Sequence, residues 1–176
     1  MGTPTPIPRG THTVTPHLVL RDCAGALAFY QRAFGAKEEV RLPSPDGRRI
    51  WHAEIRIGDS LVYLNDEVPG ALAPWPAAPG AMSIQLYVED CDAVYASAVR
   101  AGAHPTMRLE DRFWGDRMGI VTDPFGCQWT ISTHRRHVSR EELDGALATL
   151  PTSSTTALEG QAAWEPDDDA LEDPFR

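Results

Sequence analysis

The sequence has few cysteines, no long apolar run and no surplus of basic residues, and each shortage excludes a class of protein. Cys23, Cys91 and Cys127 are an odd number without metal-motif spacing, so neither a disulfide framework nor a zinc site is indicated. No apolar stretch approaches the roughly 18 residues that span a bilayer, and the first residues lack the apolar core of a signal peptide. We therefore expect a cytoplasmic protein with reduced thiols and no membrane partner.

Acidic residues outnumber basic ones, and most of the surplus lies near the C-terminal end. The formal net charge is -9 over 176 residues. Residues 151–176 contain seven acidic residues and one arginine, which is -6, so the remainder carries -9 minus -6, or -3. A body without a basic stripe cannot neutralise phosphates, so we expect no nucleic-acid partner. A hydrophobic content of 42% is ordinary for one well-buried soluble domain.

The order of predicted elements repeats once along the chain. A strand, a helix capped by Asp22 and stopped by Gly35, and three further strands give the order βαβββ. The same order follows a segment rich in proline, alanine and glycine, with Asp90 as the helix cap. The pairs Asp22-Cys23 and Asp90-Cys91 lie 68 residues apart at the same point of each half, which indicates an internal duplication.

We predict an α+β fold in which two tandem βαβββ modules form a curved mixed-sheet cup. The predicted organisation is a flexible N-terminal arm (1–11), a first module (12–66), a linker (67–81), a second module (82–135), a C-terminal helix (136–150) and an acidic, disordered tail (151–176).

Strand alternation predicts which side chains line the cup. The apolar residues of the strands that flank each helix must face that helix, so the alternate residues face the cup. This set is polar and aromatic, which favours a cavity for a ligand or ordered water, although an internally satisfied hydrogen-bond network is the alternative. The predicted lining is Thr15, His17, His52, Glu54, Arg56, Tyr63, Asn65, Ser83, Gln85, Tyr87, Gln128, Thr130 and Ser132.

A loop at 112–117 precedes a predicted hairpin at 117–132 and contains two aromatic residues among charges. Phe113 and Trp114 suit a lip over the cup, but aromatic residues of a surface loop can equally be buried core. Trp129, by alternation, faces away from the cup together with Cys127 and Ile131. We expect Trp129 to belong to the core.

The chain resembles a known family through several stretches that are specific as a set. They are 15–20 (TPHLVL), 28–30 (AFY), 34–36 (FGA), 57–60 (IGDS), 113–117 (FWGDR) and 122–126 (TDPFG). These stretches resemble the glyoxalase, bleomycin-resistance and extradiol-dioxygenase superfamily, also called the vicinal oxygen chelate (VOC) fold, over about residues 12–135. The resemblance implies paired βαβββ modules, a ligand in the cup and a homodimer formed through the modules.

The resemblance also implies where a metal would lie in metal-dependent members of the family. The corresponding positions here are Thr15, Tyr63, Ser83 and Thr130, and none is a good ligand for a divalent metal. Relatives with the FWGDR stretch usually have histidine where this chain has Cys127. We therefore expect no metal and no cofactor.

Two functions from different classes are compatible with these residues. The first is a protein that binds a small aromatic or antibiotic-like molecule in the cup. The second is a VOC-type lyase, isomerase or dioxygenase with a non-standard metal or acid-base site at His17, His52 and Glu54, of which His52 and Glu54 are the catalytic candidates. The predicted ligand-binding residues are His17, His52, Glu54, Tyr63, Ser83, Gln85, Phe113, Trp114, Arg117 and Thr130.

Overall fold

A computed structural model describes residue 8 and residues 10–68 and 83–149. The arrangement is α+β, as predicted, with eight strands and three helices in the described residues. Their bounds are β1 (His17–Leu20), α1 (Cys23–Phe34), β2 (Lys37–Pro43), β3 (Ile50–Ile57), β4 (Ser60–Asp66), β5 (Ser83–Tyr87), α2 (Cys91–Arg100), β6 (His104–Asp111), β7 (Asp116–Thr122), β8 (Gln128–His134) and α3 (Arg140–Thr149).

The strands form two four-stranded mixed sheets with the same connectivity. The first has the order β1-β4-β3-β2 and the second the order β5-β8-β7-β6. In each sheet the first strand of the module pairs in parallel with the last, and the other pairs are antiparallel. The two βαβββ modules predicted from the sequence are confirmed by this topology.

The two halves also begin their helices in the same way. Asp22 accepts a hydrogen bond from the Gly25 backbone N–H at 2.8 Å, and Asp90 accepts one from Ala93 N–H at 3.0 Å, so both aspartates are N-caps. Gly35 ends α1 with a φ of 65°, in the left-handed region that glycine adopts without steric cost. The predicted caps are therefore confirmed.

A side chain from the last strand of each module fastens the start of that module's helix. In the first module the Asp66 carboxylate accepts from the Cys23 backbone N–H at 2.7 Å. In the second the Thr133 hydroxyl accepts from the Cys91 N–H at 2.9 Å. The duplication seen in the sequence thus extends to equivalent contacts made by different residue types.

The modules meet through an aromatic cluster on the helix-covered sides of the sheets. Tyr30 and Phe34 of α1 pack on Trp129 of β8, with ring centroids 5.3 Å and 4.6 Å from the indole. Trp129 is 1% exposed, so its predicted place in the core is confirmed. Asp123 lies beneath this cluster and accepts from Tyr30 at 2.8 Å and from the Trp129 indole at 3.0 Å.

Several predicted boundaries differ from the observed ones. The first strand begins at His17, so Thr15 of the predicted lining precedes it, and the hairpin predicted at 117–132 extends from Asp116 to His134. The final helix is present and Ser139 caps it, but none of its described side chains is buried. The tail and nearly all of the predicted linker lie outside the described residues. No helix within 10–68 and 83–149 has the length and apolar character to cross a membrane.

Candidate functional site

The first sheet has a polar and aromatic face on the side opposite α1. His17, Tyr63 and Glu54 form one row across β1, β4 and β3, because Tyr63 is the register partner of both of the others. The next row contains Asn65 and His52. We call this surface the first open face. It carries four of the predicted site residues, as alternation along the strands requires.

The side chains of the first open face pair with one another. The His17 ring nitrogen Nε2 lies 2.6 Å from Asn65 Oδ1, and His52 Nε2 lies 3.0 Å from Glu54 Oε1. The Tyr63 ring stands edge-on to both imidazoles, with centroids 6.3 Å from His17 and 5.1 Å from His52. The His52 and Glu54 side chains remain 30% and 25% exposed, so a molecule at the surface can reach this pair.

The three residues considered for a metal site do not come together. Strand β4 separates His17 from Glu54, and neighbouring strands lie about 4.8 Å apart, so two strand spacings put these backbones roughly 10 Å apart. His17 turns to Asn65 instead. In the described part of the chain, no three histidine, cysteine, aspartate or glutamate side chains form a group that could hold a metal ion.

The second sheet has an equivalent polar surface, the second open face, opposite α2. Ser83 and Thr130 lie on the neighbouring strands β5 and β8, with their hydroxyl oxygens 2.9 Å apart. One row further along, the Gln85 amide donates to the Ser132 hydroxyl at 2.7 Å. Thr130 and Ser132 are 6% and 0% exposed, whereas Ser83 and Gln85 are exposed. The face therefore has a buried polar floor with an exposed rim along β5.

A third group lies at the end of the second open face. Its members are Tyr87, which was in the predicted lining, and Asp116 and His134, which were not predicted. Asp116 accepts from the Tyr87 hydroxyl at 2.8 Å and lies 2.7 Å from His134 Nδ1. Burial opposes the charged form of Asp116, but the hydrogen bonds from His134 and Tyr87 outweigh it, so the pKa of this carboxyl lies below its ordinary value. Asp116 is thus a carboxylate at neutral pH.

Alternation alone could have identified this group if the hairpin strands had been extended. The predicted hairpin covered 117–132, whereas β7 starts at Asp116 and β8 ends at His134, and these two residues are register partners. Met118 and Ile120 follow Asp116 at alternate positions and are half-buried, so they add apolar surface to the same face.

Arg117 does not join the other predicted site residues. Its position on β7 is one residue from Asp116, so its side chain points to the helix-covered side of the sheet. There it forms a two-pronged ion pair with Asp92 in the first turn of α2, with nitrogen to oxygen distances of 2.6 and 2.8 Å. The Arg117–Asp92 ion pair links β7 to the first turn of α2, and we leave Arg117 out of the site proposed below.

The loop with the two aromatic residues lies at the end of the second sheet. Phe113 and Trp114 are 36% and 38% exposed and stand edge to face at 5.0 Å. Gly115 has a φ of 99°, and its carbonyl accepts from the backbone N–H groups of Arg135 and Arg136. The loop is therefore held against the chain that leaves β8, immediately after His134.

Within one chain the two open faces are not joined by the contacts described. The modules meet through α1, α2 and the turn between β7 and β8, on the other side of each sheet. A cavity of about 620 Å³ between the modules is lined by residues of the helix-covered sides, such as Val62 and Trp129, and also by Gln85 and Tyr87 of the second open face. The two open faces thus belong to two separate sheets of the chain.

The class of protein follows from the fold and from a comparison with known families. A family model described as the Glyoxalase/Bleomycin resistance protein/Dioxygenase superfamily matches residues 11–131. The chain belongs to this superfamily, and the resemblance inferred from the sequence is confirmed.

Several known proteins are similar to this chain in sequence or in structure. An uncharacterised protein of Mycobacterium bovis is 43% identical over 140 residues, which cover 77% of this chain and 91% of the relative. Among solved structures, TioX from Micromonospora sp. ML1 is 26% identical, with a TM-score of 0.55 and coverage of 70% of this chain and 98% of TioX. Protein PA1353 from Pseudomonas aeruginosa is 25% identical, with a TM-score of 0.58 and coverage of 72% and 100%.

Proposed function

We propose that this protein binds a small aromatic or antibiotic-like molecule between the first open face and the second open face, without a metal or cofactor. The observation that carries this proposal is that each sheet leaves one polar and aromatic face uncovered by its helix. Aromatic rings of His17, Tyr63 and His52 supply flat contact area on the first face, and paired hydroxyls supply hydrogen bonds on the second. Concave sites of this kind combine apolar contact with a few placed polar groups.

We further propose that a second copy of the chain completes the cup. Each open face is the sheet surface that the helix of its own module leaves uncovered. If the first face of one copy lies opposite the second face of another, a closed cup with both kinds of lining results, and a twofold axis produces two identical cups. The three buried, unpaired cysteines agree with a cytoplasmic location, which we include in the proposal.

The assembly can be tested directly in solution. Because the cup needs both faces, we expect the protein to be a homodimer, with twice the 19.3 kDa mass of one chain. Size-exclusion chromatography with multi-angle light scattering at micromolar concentration measures this mass. A single-chain mass under these conditions would contradict the composite cup.

The binding proposal can be tested with a library of aromatic compounds. Compounds that bind the folded protein raise its melting temperature, and a ligand at 100 times its dissociation constant stabilises by about 2.7 kcal/mol. We expect the shift to be lost in His52→Ala and Tyr63→Ala. Trp51→Ala is the matched control, because Trp51 is adjacent on β3, points to the other side and is 57% exposed.

The outcomes of this screen separate binding from other roles. Compounds that stabilise all four proteins equally would bind elsewhere and would contradict the proposed site. The 3.0 Å pair of His52 and Glu54 supports one second candidate, a VOC-type enzyme that uses this pair as acid and base. Chemical conversion of a bound compound by the wild type, lost in both His52→Ala and Glu54→Gln, would favour the enzyme.

A further inference from the structure

The group of Tyr87, Asp116 and His134 has a definite arrangement of hydrogen-bond donors and acceptors. It brings together three strands, β5, β7 and β8, at the end of the second open face. Asp116 is 6% exposed, whereas the His134 side chain is 45% exposed and Tyr87 is 59% exposed. The carboxylate is thus the buried centre of the group, and the two rings form its accessible surface.

The positions of the protons follow from the charge of Asp116. An ionised carboxylate only accepts hydrogen bonds, so the Tyr87 O–H and the His134 Nδ1–H must both donate to it. In its neutral form the His134 imidazole carries one proton, and the contact with Asp116 holds that proton on Nδ1. In that form His134 Nε2 is an acceptor, and the Tyr87 oxygen keeps its lone pairs for the same role.

Apolar and aromatic surface adjoins these two acceptors. The Trp114 side chain contributes to the lowered pKa of Asp116 and stands half-exposed beside Phe113. Met118 is half-buried and is the register partner of Ser132, one row from His134 along β8. A ligand ring placed on this surface would bring its substituents within reach of His134 and Tyr87.

We infer that the Tyr87–Asp116–His134 group selects aromatic ligands that carry a neutral N–H or O–H donor, which His134 Nε2 and the Tyr87 oxygen accept. This inference rests on the proposed function and specifies one end of the same site. It predicts discrimination, because a ligand without the donor leaves the acceptors unpaired beneath it, and a buried polar group without a partner loses its hydration.

The selectivity can be measured with two compounds that differ only in the donor. 2-Naphthol has an O–H group, and 2-methoxynaphthalene has the same rings without it. We expect the wild type to bind 2-naphthol roughly tenfold more tightly, the usual worth of one such hydrogen bond. The preference should fall in His134→Phe, which keeps a ring but removes both nitrogens, and should disappear in the double variant His134→Phe/Tyr87→Phe, which removes both acceptors. It should remain in His137→Phe, whose ring lies 5.0 Å from that of His134.

The possible results distinguish this inference from the proposed function. Equal affinities for the two compounds in the wild type, or a preference that survives in the double variant His134→Phe/Tyr87→Phe, would overturn the inference and leave the proposed cup intact. Binding of neither compound at millimolar concentration would overturn the assignment to aromatic donors, and the library screen would then decide the proposed function separately.

A second measurement needs no ligand. Long-range ¹H–¹⁵N correlation spectra of the wild-type protein report which ring nitrogen of a neutral histidine carries the proton. The expected result for His134 is the Nδ1-protonated form. If His134 is protonated at Nε2, that nitrogen is a donor, and the group is only a brace between β5, β7 and β8.

Discussion

Trp129→Ala is expected to lower the free energy of unfolding by about 3–5 kcal/mol, the range for removal of a large aromatic side chain from a packed interior. The indole is 1% exposed and contacts two rings of α1, so its loss opens a cavity at the place where the modules meet. It also leaves one hydrogen bond of Asp123 unmade. Chemical denaturation followed by circular dichroism measures the change.

Trp114→Ala is the matched comparison for this prediction. Trp114 is 38% exposed in a loop at the end of the second sheet, so we expect a loss of only about 1 kcal/mol of stability. If Trp114 closes over a bound molecule, its removal should weaken the affinity for a compound found in the screen by roughly 5- to 150-fold, about 1–3 kcal/mol. Equal losses of stability in the two variants, with unchanged affinity, would show that the loop is structural.

The second large effect is expected at Asp123, whose carboxylate joins the two modules. It accepts four hydrogen bonds, from the Tyr30 hydroxyl, the Trp129 indole and the backbone N–H groups of Phe125 and Cys127. Asp123→Ala leaves all four donors buried without this partner. Each unsatisfied group costs about 1–3 kcal/mol, and because neighbouring losses do not add fully we expect a total of about 3–5 kcal/mol.

Two further variants test this account of Asp123. Tyr30→Phe removes one donor and keeps the ring, so it should cost about 1 kcal/mol. Burial raises the pKa of Asp123 although four donors favour its charged form. A raised pKa contributes stability that is present below the unfolded pKa and lost as pH rises through the folded value. As pH rises from the unfolded to the folded pKa of Asp123, the free energy of unfolding of the wild type should therefore fall relative to that of Asp123→Asn. If the two proteins show the same pH dependence of stability, the pKa is not raised.

The sequence predicted local features well because they depend on neighbouring residues alone. Asp22 and Asp90 are followed by helices, Gly35 can adopt a positive φ, and alternation around Trp129 places it in the core; each of these was readable within a few residues. Arg117 was listed among the ligand-binding residues, whereas alternation along β7 turns its side chain to Asp92.

Contacts between residues that are far apart in the sequence could be predicted only with knowledge of the strand order. His17, His52 and Glu54 each lie on the predicted face, but β4 is inserted between β1 and β3, so His17 meets Asn65 and not Glu54. Asp116 and His134 are 18 residues apart, and their contact depends on the register of β7 and β8. Register is a property of the assembled sheet, so alternation along longer strands could place Asp116 and His134 on the same face but could not show that they touch.

In each module a hydrogen bond links the start of the helix to the last strand, and this bond limits how the two halves of the gene can diverge. A carboxylate at Asp66 and a hydroxyl at Thr133 satisfy the same kind of backbone N–H, that of Cys23 in one half and of Cys91 in the other. The structural requirement is therefore an acceptor at that point of the strand, whichever residue supplies it. After a duplication, each copy is free to change the residue type there independently, while the open face on the opposite side of its sheet acquires its own set of polar groups.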